Sequence, residues 1–223
     1  MKRFQVKVCG NNSVENFKAL TKIEPDYVGF IFYPKSPRFI KDESIFEIFP
    51  NAERVGVFVN ESVEKIIQKV KQFELDVVQL HGDETPSFCQ ELIEAKHQQL
   101  LTSEQFLDFK IWKAIGVNET TDFEQLKGYQ QVVDSFVLDT KSTQYGGSGK
   151  KFDWQLLKNY QLSTPFLLSG GIQLEDALVL KNFKHPQCIG FDINSGFEIE
   201  PGIKNIEKVK QFIDTIDGRI EQN

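Results

Sequence analysis

A closed (β/α)8 barrel, the TIM-barrel fold, is the class this sequence predicts, and three observations predict it. Eight short apolar runs rich in β-branched and aromatic residues recur along the 223 residues. Each is followed by a turn and then a longer amphipathic segment, with no antiparallel hairpin signal between runs, the pattern of parallel strands covered by helices. No Pro/Gly/Ser-rich linker or long charge block divides the chain, so residues 1–223 read as a single α/β domain of the length a barrel needs. An open doubly wound sheet is the alternative.

The runs are QVKVC (5–9), YVGFIF (27–32), RVGVFV (54–59), VVQL (77–80), FKIWKAI (109–115), SFVLD (135–139), PFLLS (165–169) and CIGFDI (188–193). Between them, Ser13, Ser62 and Thr121 stand as N-caps before VENFKAL, VEKIIQKV and DFEQL, because a short hydroxyl side chain can accept from the first free backbone N–H groups. Thr85 with Pro86 opens the helical pattern SFCQELIEA. Segments Leu174 to Asn182 and Asn205 to Ile216 supply the last two helices. The connection 41–50 is short and predicts a small helix.

Composition excludes several function classes. Hydrophobic residues at 40% and charged residues at 26% fit a soluble globular chain. No apolar run approaches the roughly 20 residues that span a bilayer, and MKRFQVKV is too short and polar for a signal peptide, so the chain reads as cytoplasmic with no membrane partner. A net charge of −6 leaves no electrostatic footprint for nucleic acid. Cys9, Cys89 and Cys188 are widely spaced, include an odd one and form no CxxC, which suggests neither a disulfide framework nor a zinc site.

In a barrel of this kind the chemistry sits in the loops after the C-terminal ends of the strands. That rule selects Cys9 at the end of the first strand, Arg38 in the loop after the second, Gln79 and His81 at the fourth, Asp139 at the sixth and Asp192 at the eighth. Each also has a structural reading: a lone strand Cys is often a small core residue, His81 could brace the turn at Gly82, and Asp139 could form a turn. The apolar approach SFVL would raise the pKa of a shielded Asp139. LLSGGIQ and FDINSGFE place glycines and small polar residues just ahead of helices, after strands seven and eight, where backbone N–H groups can bind an anion. They predict a phosphorylated substrate. GGSGKK looks like a nucleotide-binding loop, but Gln144, Lys151 and Phe152 break both the Walker and dinucleotide patterns. Gly146, Gly147 and Gly149 read instead as a mobile lid.

In order, KVCG, GFIFYPKSPR, VGVFVN, VVQLHGDE, LDTK, YGGSGKKFDW, LSGGI and DINSG closely resemble the phosphoribosylanthranilate isomerase family of tryptophan biosynthesis, over nearly the whole chain. The resemblance implies a barrel that rearranges N-(5'-phosphoribosyl)anthranilate to 1-(2-carboxyphenylamino)-1-deoxyribulose 5-phosphate without metal or organic cofactor. It implies Cys9 as general base and Asp139 as general acid, and Arg38 against the anthranilate carboxylate. It further implies Asp192 near the sugar and Gly170, Gly171, Asn194, Ser195 and Gly196 at the phosphate, with Gln79 and His81 expected to bind substrate. The chain departs from the family pattern at Asn11 and Asn12, where Ile or Leu then Thr is usual, and at INSG in place of VSSG.

The family reaction needs an acid to protonate the furanose ring oxygen and a base to take the proton from C2'. Asp139 must therefore stay protonated, and a positive field near Cys9 should help hold a thiolate. Two other functions remain: an isomerase of the aminoimidazole ribonucleotide type, which would want an aspartate where Cys9 stands, and a phosphometabolite-binding protein without turnover. The chain is read as a monomer or a homodimer.

Overall fold

Eight parallel strands close on themselves in chain order in the computed structural model, which describes residues 4–102, 108–141 and 151–218. They are β1 (Gln5–Val8), β2 (Tyr27–Ile31), β3 (Glu53–Phe58), β4 (Val77–Leu80), β5 (Lys110–Val117), β6 (Ser135–Thr140), β7 (Phe166–Leu168) and β8 (Cys188–Ile193). The ring is shut by β1 against β8, with Lys7 beside Asp192 in the register. The predicted (β/α)8 class is the fold that forms, and the lid expectation at Gly146, Gly147 and Gly149 lies outside the described residues.

Alternation along each strand sorts side chains between two cores. Tyr27, Val55, Val77, Trp112, Val137 and Leu167 fill the barrel interior, with Tyr27 and Trp112 edge to face at 4.8 Å. The opposite faces of the strands, among them Val6, Phe30, Val78 and Phe136, pack outward under the helices.

Of the connecting segments among the described residues, five are α-helices: α1 (Val14–Thr21), α2 (Val63–Phe73), α3 (Pro86–Thr102), α4 (Ala177–Lys181) and α5 (Ile206–Asp217). Ser13, Ser62 and Thr85 cap as expected, each hydroxyl accepting from the backbone N–H three residues on. Helix α2 buries Val63, Ile66, Ile67, Val70 and Phe73, one stripe at helical spacing. After β2, β5 and β6 the described residues make 3-10 turns, at Glu43–Glu47, Phe123–Tyr129 and Trp154–Asn159. The expected Leu174 to Asn182 helix divides into a 3-10 turn, Leu174–Asp176, and the short α4.

Two expectations need correction. The cap before Phe123 is Asp122, which accepts from the Glu124 N–H, while Thr121 closes the preceding loop by accepting from the Asn118 N–H. An antiparallel hairpin does exist, β9 (Glu198–Glu200) with β10 (Ile203–Lys204), turning at Pro201 and Gly202. Its strands are too short to show alternation.

Candidate active site

Residues two apart on one strand share a face, so the inward positions of successive strands converge on one cavity at the C-terminal rim. Cys9, Arg38, Gln79, His81, Asp139 and Asp192 all line it. Ser169, Gly170, Gly171, Asn194 and Ser195 form its other wall. Gly196 lies behind this wall instead, with its Cα against the Ile172 carbonyl, where a Cβ would come within 2.3 Å.

Asp139, the last residue but one of β6, has one oxygen fixed: Oδ1 accepts from the Thr140 N–H at 2.7 Å. Burial pushes its pKa up to about 6, because the ionised carboxylate loses its hydration there; the Thr140 bond and Lys7 oppose that push and Asp192 adds to it. Gly170, with φ +88°, presses directly on this carboxyl, and a Cβ there would meet Thr140 and Asp139 Oδ1 within 2.8 Å. Only glycine allows the seventh loop so close. His81 Nε2 stands 3.7 Å from Asp139 Oδ2, beyond hydrogen-bond reach. Burial, with Lys113 and Lys7, lowers the imidazole to about 4, so the ring is neutral at neutral pH. Its Nδ1 meets Gln79 Nε2 at 3.4 Å, and the Gln79 Oε1 is buried with no partner.

Across the barrel, the Cys9 N–H continues the ladder to the Ile193 carbonyl, and Gly10 then turns with φ +76°. Cys9 is 5% exposed and lines the cavity. Burial raises its pKa, and the Lys7 charge pulls it back only in part. The expected positive field is present, yet the resting group is a thiol. Lys7, two residues earlier and fully buried, donates to Asp192 Oδ2 at 2.9 Å. Burial works against the Lys7 charge, but Asp192 and Cys9 hold its ammonium above the ordinary value. The second oxygen, Asp192 Oδ1, is buried without a partner.

Arg38 is not free over the cavity. Its Nε donates to Glu198 Oε1 at 2.8 Å and its Nη2 to Oε2 at 2.6 Å, a bidentate pair. Lys204, fully buried, donates to the same carboxylate at 2.7 Å and to Asn194 Oδ1 at 2.8 Å, and the Gly202 N–H also reaches Glu198. Against its burial, these donors hold Glu198 below the ordinary carboxylate range. Lys204 thus stands behind the glycine-rich loop of β8 and orients Asn194.

Sequence reasoning missed Lys7, Glu198, Lys204 and the clamp of the fourth loop. There Glu84 accepts from the Asn60 and Gly82 N–H groups at 2.8 and 2.9 Å and pairs with buried Lys113 at 3.2 Å, fixing the turn that follows His81. Pro201–Gly202 was the readable sign of the hairpin that carries Glu198 and Lys204. Asn11 acts locally, its Nδ2 donating to the Val8 and Gly29 carbonyls and so tying the end of β1 to the middle of β2 beside Cys9.

Comparison with known proteins supplies the family of the chain. The model of the N-(5'-phosphoribosyl)anthranilate isomerase family matches residues 6–215. An N-(5'-phosphoribosyl)anthranilate isomerase of Parabacteroides distasonis is 41% identical over 216 residues, covering 95% of this chain and 92% of its own. Monomers generated from the dimeric Thermotoga maritima enzyme superpose with TM-score 0.77 at 34% identity, covering 96% of this chain and 99% of theirs. A solved phosphoribosyl anthranilate isomerase in complex with reduced 1-(o-carboxyphenylamino)-1-deoxyribulose 5-phosphate has TM-score 0.77 at 32% identity, with the same coverage. The chain belongs to the N-(5'-phosphoribosyl)anthranilate isomerase family, a family of enzymes.

Proposed function

We propose that this chain rearranges N-(5'-phosphoribosyl)anthranilate to 1-(2-carboxyphenylamino)-1-deoxyribulose 5-phosphate in tryptophan biosynthesis, with Asp139 as general acid and Cys9 as general base. The observation that carries the roles is that a carboxyl with its pKa raised to about 6 and a thiol open onto one cavity from opposite walls. Asp139 gives its proton to the furanose ring oxygen as the ring C1'–O bond breaks, leaving a Schiff base. Cys9 takes the proton from C2', and that electron pair neutralises the iminium to give an enolamine, which tautomerises to the ketone. One proton leaves the protein and one enters it. The sulfur makes no bond to carbon.

The remaining lining suits this substrate. Gln79 Oε1 and Asp192 Oδ1 are buried acceptors without partners, placed to receive ribose hydroxyls. Gly170, Gly171, Asn194 and Ser195, with Lys204 behind Asn194, suit the phosphate, while Gly196 supports that wall from behind. Arg38 suits the anthranilate carboxylate, which would share the guanidinium with Glu198. The active unit is a monomer or a homodimer, working without metal or organic cofactor.

Fluorescence-monitored conversion of freshly made phosphoribosylanthranilate tests the proposal. Turnover of this substrate, with none of the aminoimidazole ribonucleotide, is expected. Binding of both phosphosugars with no turnover of either would assign a binding protein instead.

A further inference from the structure

We propose that Lys7 is a positioning residue for the reaction, acting through Cys9 as the buried counter-ion against which the sulfur ionises; this rests on Cys9 being the base. The placement is geometric. Lys7 and Cys9 lie two apart on β1 and so face the same way, and the Lys7 Cε and Cys9 Sγ converge on the same spot of β2, 3.2 and 2.8 Å from where a Cβ on Gly29 would be. Gly29 is what leaves room for both. Lys7 is 0% exposed, and a buried ammonium needs partners. It has one carboxylate oxygen, Asp192 Oδ2 at 2.9 Å, and its remaining N–H groups leave a donor for the sulfur.

The charges around the sulfur come from three strands. Lys7 on β1 favours the thiolate, Asp192 on β8 opposes it with a weaker effect than that of Lys7, and Lys204 on β10 favours it least, already engaged by Glu198, which Arg38 also holds. Asp139 and His81 occupy the far wall. The productive form has the proton on Asp139 and not on Cys9, whereas the raised thiol and a carboxyl near 6 place it the other way at rest. The productive population therefore falls about tenfold for each pH unit that separates the two groups. Whatever lowers the thiol enlarges that population in proportion, and Lys7 is the strongest such group.

The test is the pH dependence of iodoacetamide labelling at Cys9, read by peptide mass spectrometry in the whole chain, together with kcat/KM against pH. Lys7→Met should move the labelling midpoint upward by roughly one pH unit or more, carry the alkaline limb of kcat/KM with it, and lower the plateau about tenfold or more. Lys7→Arg should restore most of both shifts. A midpoint unchanged or lowered in Lys7→Met overturns the proposal. Should Lys7→Met fail to fold by thermal melting, Asp192→Asn provides the opposite arm, with a downward midpoint expected and an unmoved or raised one contradictory. Labelling reads the thiol without turnover, so an active Cys9→Ala variant would remove the base reading while this measurement still decides the effect of Lys7 on the sulfur.

Discussion

Asp139 and His81 face each other with opposite titration habits, and the stability of the fold should record both. For Asp139, the folded value near 6 exceeds the ordinary 3.8, so its contribution is full below 3.8 and is lost as pH rises to 6, a change of ~3 kcal/mol. His81 works in reverse. Its value near 4 lies under the ordinary 6.5, so stability is lost as pH falls from 6.5 to 4, again by ~3 kcal/mol. Between pH 4 and 6 the two effects oppose each other. Urea midpoints against pH should show Asp139→Asn losing stability on acidification more steeply than the parent, and His81→Gln losing it less steeply or gaining; parallel curves for all three would contradict these assignments. Both residues were legible in the sequence because a titratable side chain at the C-terminal end of a mostly apolar strand run stands out. Lys7 was not, since a lysine inside an alternating strand reads as a solvent-facing position; only closure against Asp192 makes it an interior one.

At the scale of elements, the hairpin β9–β10 does what its length conceals. It delivers Glu198 to Arg38 and Lys204 to Asn194, so the loops after β2 and β8 are held as one unit. Arg38→Ala should chiefly raise KM by weakening the hold on the anthranilate moiety, with little change in affinity for a simple phosphosugar; unchanged KM and kcat together would withdraw that contact. Glu198→Gln should cost stability, about 3 to 5 kcal/mol in urea titrations, because buried Lys204 loses its carboxylate. The strands were readable from apolar alternation and the longer helices from caps and stripes. The 3-10 turns were not distinguished, since a turn such as Glu43–Glu47 needs only Ile45 and Phe46 to bury its inner side and carries too few residues to show a period.

For the molecule as a whole, an acidic chain collects cations inside its barrel mouth. Lys7, Lys204 and Arg38 are all at least nine-tenths buried there against the carboxylates of Asp192 and Glu198, and the third negative charge rests on Asp139 or, in the productive form, on Cys9. A substrate carrying a phosphate and a carboxylate fits such a mouth, though net charge alone gives no hint of it. No helix among the described residues is long and apolar enough to cross a membrane. The barrel class was readable because eight strand–turn–helix units leave few other closed arrangements. The electrostatics were not, because they depend on pairs 185, 160 and 6 positions apart in the chain. The central claim is that thiol and carboxyl act on one bound sugar, and single-turnover conversion of phosphoribosylanthranilate by Cys9→Ala and by Asp139→Asn, with phosphosugar affinity measured alongside, tests it most directly. Each variant should lose about 10²- to 10⁴-fold in rate while binding nearly as before. A near-normal rate in either variant would contradict the role given to that residue.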